Sequence, residues 1–180
     1  MDLSFRRATP ADIPALQELI ATSARGLSIG YYTPQQIESA VSHAFGVDSQ
    51  LIADGTYFIV EADGRAVACG GWSKRRTLYG GDQLKKDWPD PLLNPQREAA
   101  RIRAFFVHPD RGRQGIGRRL LEICVAAAHK AGFTAFELGA TTPGVPFYRA
   151  LGFETYDEVK LDLPDGVQLP ITCMRYQHPG

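Results

Sequence analysis

No stretch of this chain is apolar over the about twenty residues that a membrane-spanning helix requires, and its first residues carry no apolar signal core. Neither sign of charge predominates: 20 lysines and arginines balance 20 aspartates and glutamates, which argues against nucleic acid as a bulk electrostatic partner. Cysteine is scarce and odd in number. Cys69, Cys124 and Cys173 lie far apart inside apolar patterns, which points to buried reduced thiols rather than a disulfide framework. No Cys-x-x-Cys or His-Glu-x-x-His spacing occurs and the four histidines are scattered, so no metal site is expected. What remains is a globular protein with the cytoplasm as its default compartment and no membrane or nucleic-acid partner. A length of 180 residues suits one domain over 1–180, with a core of about 3–175.

The most informative stretch is 100–121. Residues 101–107 are rich in β-branched and aromatic side chains, and Pro109 closes the run because proline cannot donate to a strand ladder. Gly112, Gly115 and Gly117 then puncture a turn. From Ile116 the period changes: Ile116, Leu120, Cys124, Ala127 and Ala128 recur at three and four, one face of a helix. A glycine turn feeding a helix leaves backbone N–H groups unpaired where the helix dipole also favours an anion. Arg111, Arg113, Arg118 and Arg119 surround it. The local chemistry is that of a phosphate cradle. The third glycine of a dinucleotide fingerprint is missing after Gly117, and no Gly-Lys-Ser/Thr follows, so neither common nucleotide loop is present. That weighs against a generic nucleotide-binding module.

Around this centre the chain alternates strand and helix signals. Residues 3–8 read as a strand. Thr9-Pro10 starts a helix running to about Gly26, and Thr33-Pro34 starts a second that Gly46 ends. Tyr31 and Tyr32 sit in the loop between them. Residues 57–61 and 65–72 form a hairpin over Asp63-Gly64, and Gly70-Gly71 marks either a bulge or a close backbone approach. Residues 73–98 are a long basic loop, either a lid, a dimer arm or a solvated insertion. After the helix that Gly132 caps come a strand over 134–138, a loop over 139–143, a short helix from Pro146, and a hairpin of 154–163 with 167–175. The resulting order, β-α-α-β-β-β-α-β-α-β-β, is an α/β (α+β) arrangement: a mixed sheet with helices on both faces.

The string of strand, Val107-His108-Pro109-Asp110, basic glycine turn and helix resembles the pyrophosphate-binding motif of the GCN5-related N-acetyltransferases (GNAT). The later Phe147-Tyr148-Arg149-Ala150-Leu151-Gly152-Phe153 resembles a second segment of that family. The usual first position of the glycine motif is Arg or Gln; here it is Gly112, with Arg111 and Arg113 beside it. The resemblance spans about 3–175. It implies a mostly antiparallel sheet splayed between its fourth and fifth strands, and acetyl-CoA as acyl donor. It also implies acetyl transfer to a primary amine by direct attack in a ternary complex. The acceptor would be a small molecule, with a protein acceptor open and a homodimer compatible. Cofactor contacts would come from Phe106, Val107, Arg111, Gly112, Arg113, Gln114, Gly115, Ile116, Gly117, Arg118 and Arg119. Tyr148 would be the general acid that protonates the leaving sulfur. The oxyanion would be met by a backbone N–H near Phe106 or Val107. No base transfers from the family by position; Glu98, Glu137 and His108 are the candidates near strand ends, and Tyr31 and Tyr32 are candidates for the acceptor pocket. The competing reading is a CoA-binding regulatory or degenerate domain without transferase activity.

Overall fold

Helix starts are set by side chains that satisfy otherwise unpaired N–H groups. Thr33 and Gln36 bond reciprocally, Thr33 accepting from the Gln36 N–H at 3.1 Å and Gln36 accepting from the Thr33 N–H at 2.9 Å. Asp48 accepts from the Gln50 N–H at 3.0 Å. A computed structural model describes residues 2–86 and 88–179. Its elements are β1 (Leu3–Arg7), α1 (Ile13–Leu27), α2 (Pro34–His43), α3 (Ser49–Ala53), β2 (Tyr57–Ala62), β3 (Arg65–Ser73), β4 (Ala100–Val107), α4 (Ile116–Lys130), β5 (Ala135–Thr141), α5 (Val145–Ala150), β6 (Glu154–Asp162) and β7 (Gln168–Gln177). Three boundaries differ from the sequence expectation. Pro10 opens a short 3-10 turn, Pro10–Asp12, and the α-helix begins only at Ile13. The one-turn helix α3 follows α2. The strand β5 runs on through Thr141, where a loop was expected.

The seven strands form one sheet in the order β1-β2-β3-β4-β5-β7-β6. Every pairing is antiparallel except β4 with β5. That parallel pair holds at only Ala100 opposite Phe136 and Arg101 opposite Glu137, after which the strands part. Helices cover both faces, and the period-two alternation shows which residue serves which. Tyr57 and Ile59 of β2 pack with Leu16, Leu19 and Ile20 of α1 and with Leu51 of α3. Val60 and Ala62 pack with Ile116 and Leu120 of α4 on the opposite face. Farther along, Phe136, Leu138 and Met174 join Leu121, Cys124 and Ala128 of α4. The three cysteines are unpaired and buried, as their apolar surroundings suggested.

A bulge on β4 reorients the site. Register slips between Cys69 and Gly71 on β3, where the sequence placed it, and Ala104 opposite adopts φ +52°. Ile102 and then Phe105 therefore face the α4 side, while Ala104 and Phe106 turn toward α1. The fully buried Tyr57 donates its hydroxyl to the Ala104 carbonyl at 2.8 Å, holding the bulged peptide.

The described residues of the long segment 73–98 are tied to the body at several points. The Leu93 N–H donates to the Lys74 carbonyl and the Arg76 N–H to the Pro91 carbonyl, so the segment folds back on itself. Arg75 donates twice to Asp54, at 2.7 and 2.9 Å. The buried Arg103 of β4 reaches the Thr77 and Gly80 carbonyls and pairs with buried Asp48, which Lys85 also contacts. Residues 78–81 are thereby pressed against the body.

Candidate active site

Where β4 and β5 part, a cleft of about 680 Å³ opens. One end is the glycine turn. Arg113 has φ +61° and Gly115 φ +78°, and Ile116 begins α4 directly after. Such alternation of backbone hand makes successive N–H groups converge on an anion, and the first N–H groups of α4 have no intrahelical acceptor. Arg111, Gly112, Arg113, Gly115, Ile116, Gly117 and Arg118 all line this end. Gln114 and Arg119 do not. Gln114 leans back on the Asp110 carbonyl at 3.5 Å, and Arg119 pairs with Glu122 at 3.3 Å.

The middle of the cleft is the gap itself. Ala104, Phe105, Phe106 and Val107 of β4 face Leu138, Gly139, Ala140 and Thr141 of β5, and Tyr148 of α5 lies between. Tyr148 is 9% exposed and ringed by Phe105, Phe147 and Phe153, with ring centroids 5.0 to 6.4 Å away. Burial pushes its phenol well above the ordinary value, so the proton stays on the oxygen throughout the physiological range. A phenol held in its protonated form in the gap can donate a hydrogen bond, or its proton, to an anion formed beside it.

The rest of the cleft is walled by the last turn of α1, which abuts Pro109 beside the glycine turn, by residues 44–46, by the 78–81 wall and by the β6–β7 hairpin. Tyr31, 53% exposed, stands at its mouth. Tyr32 does not line the cleft. It is 5% exposed, its hydroxyl donating to the Pro170 carbonyl at 2.6 Å and accepting from the Thr142 N–H at 2.9 Å, which ties the α1–α2 connection to the sheet. The carboxylate candidates lie outside as well. Glu98 accepts from the Asn94 N–H at 2.7 Å on an exposed turn, and Glu137 pairs with Arg101 at 2.9 Å. His108 accepts from the Asp110 N–H at 3.2 Å and is not a lining residue.

Sequence reasoning passed over Ser23, which lines the cleft together with Ser28 and Tyr79 of the 27–32 and 73–98 loops, the two loops expected to build an acceptor pocket. One signal for Ser23 was available. The core-facing stripe of α1 runs Leu16, Leu19, Ile20 and then changes to Ser23 and Ala24, small residues where a large apolar one would fill space. Tyr79 gave none. Its ring lies on Gly139, where a Cβ would come within 2.5 Å of Cδ1, and only the folded chain brings them together.

Comparison with known proteins agrees with this geometry. None of the curated proteins matches the chain. Among solved structures, a GCN5-related N-acetyltransferase from Rhodopseudomonas palustris superposes with a TM-score of 0.73 at 19% identity, over 98% of this chain and 96% of that one. YncA from Salmonella typhimurium, solved with its cofactor acetyl-CoA, gives 0.63 at 16%, over 100% and 96%. The ribosomal-protein-S18-alanine N-acetyltransferase from Escherichia coli gives 0.60 at 17%, over 98% and 94%. At such identities these likenesses establish the fold. The model of the acetyltransferase (GNAT) domain matches residues 53–155, more than half the chain, from the end of α3 through the glycine turn to the start of β6. The chain belongs to the GNAT acetyltransferase family.

Proposed function

We propose that the protein is an N-acetyltransferase that moves the acetyl group of acetyl-CoA to a primary amine of a small molecule, by direct attack in a ternary complex. The observation that carries this reading is the meeting, in one cleft, of an anion-shaped turn and a buried protonated phenol. The relative solved with acetyl-CoA supports the choice of donor.

On this reading the pyrophosphate sits on the N–H groups after Gly115, with Arg111, Arg113 and Arg118 supplying charge-assisted bonds. The acyl arm runs into the gap between β4 and β5. The amine nitrogen attacks the thioester carbon, the oxyanion is met by a backbone N–H of β4 near Phe106 or Val107, and Tyr148 protonates the leaving sulfur. Desolvation raises the affinity of both phenolate and thiolate for protons, so the transfer between them is not opposed by burial alone. Glu98, Glu137 and His108 take no part.

Calorimetric titration with acetyl-CoA, with NAD and ATP as controls, tests the donor. Selective micromolar binding is expected. A folded protein that binds none of them would leave the fold without the chemistry. Binding without turnover of any amine would favour a regulatory CoA-binding domain.

A further inference from the structure

The cleft has an uneven distribution of charge. Among the described residues that line it, the only charged side chains are Arg111, Arg113 and Arg118, and all three belong to the glycine turn. The acceptor end has no carboxylate, histidine or lysine in its lining. Its walls are Leu27, Tyr31, Phe45, Leu78, Tyr79 and Ile171. Its polar lining is hydroxylic, from Ser23, Ser28 and Tyr79. Burial above all, and then the nearby Cys173 and Asp157, push the Tyr79 phenol up and keep it protonated. The mouth continues the apolar character. Leu27, Ile29 and Tyr31 are 41%, 74% and 53% exposed side by side in the chain.

An alkylammonium entering here would lose its hydration, meet no anion in the lining and approach three guanidinium groups. It would also have to lose its proton, against a pKa of about 10.4, with no side-chain base at hand. Resting on the acetyltransferase reading above, we infer that the acceptor is a flat, apolar amine of the arylamine class, uncharged before it enters. The aromatic side chains of the lining suit a planar ring. The hydroxyls of Ser23 and Ser28 suit the N–H bonds of a neutral amino group, which an ammonium's neighbours would have to outbid with charge. The step balances without a protein base. The nitrogen lone pair forms the C–N bond, collapse of the intermediate breaks the C–S bond, and the sulfur takes the Tyr148 proton. The proton released from nitrogen passes to water, and the phenolate recovers one from solvent.

The test measures CoA release at saturating acetyl-CoA with three acceptors: 4-methylaniline, spermidine and an alanine-initiated tripeptide. The expected result is a kcat/KM for 4-methylaniline at least about tenfold above the other two. Tyr31→Ala, at an exposed position that the fold does not need, should raise the KM for 4-methylaniline about tenfold and leave acetyl-CoA affinity unchanged. Leu27→Glu, which places an anion at the mouth, should shift preference toward spermidine. Faster turnover of spermidine or peptide by the unaltered protein overturns the inference. So does absence of arylamine turnover in protein that binds acetyl-CoA. Failure to bind acetyl-CoA strikes the acetyltransferase reading itself and is seen separately by calorimetry.

Discussion

On the proposed mechanism Tyr148 acts through one oxygen. Its ring is held by Phe105, Phe147 and Phe153, so Tyr148→Phe keeps the packing and removes only the proton donor. A loss of about 100-fold or more in kcat is expected, with the acetyl-CoA dissociation constant unchanged. Equal rates would remove Tyr148 from the mechanism. The opposite outcome is expected at Glu98 and Glu137. Glu98→Gln and Glu137→Gln should each leave kcat within about twofold, because both side chains are engaged away from the cleft. Steady-state kinetics on the two variants decides this. The phenol could be picked out from its neighbours in sequence because the Phe-Tyr-x-x-x-Gly-Phe string is local. The acids could not be sorted that way. Whether a carboxylate faces a cleft or an arginine depends on which strand lies beside it, and Arg101 lies 36 residues from Glu137.

At the scale of elements, the turn and the 73–98 segment carry distinct predictions. Gly115 has φ +78°, a conformation that costs an L residue about 1 kcal/mol, and its position borders the anion cradle. Gly115→Asp adds a carboxylate where a pyrophosphate is expected, so acetyl-CoA binding should disappear in calorimetry while the circular dichroism spectrum stays native. Arg103→Ala leaves buried Asp48 with Lys85 and the Gln50 N–H and frees the Thr77 and Gly80 carbonyls. Breaking a buried pair in this way costs about 3–5 kcal/mol, read as a lower urea midpoint, and loosens the wall at 78–81. Most elements were legible from capping residues, from Asp-Gly turns and from Pro109. The exceptions have physical causes. The five residues of α3 are too few to display a helical period. Gly139 reads as a loop residue, yet it stands inside β5 because the Tyr79 ring needs the space. The role of Arg103 was hidden because a charged residue in a central strand pattern shows its partner only after Asp48, 55 positions away, has folded against it.

For the whole molecule, the titrating groups define a window of stability. Hydrogen bonds from Arg6 hold the Asp12 carboxyl far below the usual carboxylate range, and Arg6 lowers Glu61 too. Burial pushes the Asp54 carboxyl up, but the paired Arg75 outweighs it and the net shift is down. These depressed acids contribute stability that is complete above about pH 4 and lost as pH falls through their folded values. The alkaline limit comes from groups raised by burial: Cys69, up to about 12, with Cys124, Tyr57 and Tyr148 also raised. Their contribution is complete below about pH 8.5 and declines as pH rises toward the folded values, because the unfolded chain ionises first. Thermal melts from pH 3 to 11 should show a plateau between these limits. Stability that rose steadily above pH 9 would contradict the assignment.

The parting of β4 and β5 has one more consequence. Past Arg101 and Glu137 each strand turns an unladdered edge toward the other across the cleft. On a protein's outside, such an edge invites another chain to add to it. Here the two edges line the cleft, with residues of α1, α5 and the 78–81 wall around them. On the proposed function, a slender, extended guest with amide groups of its own threads between them and stands in for the strand that the sheet lacks.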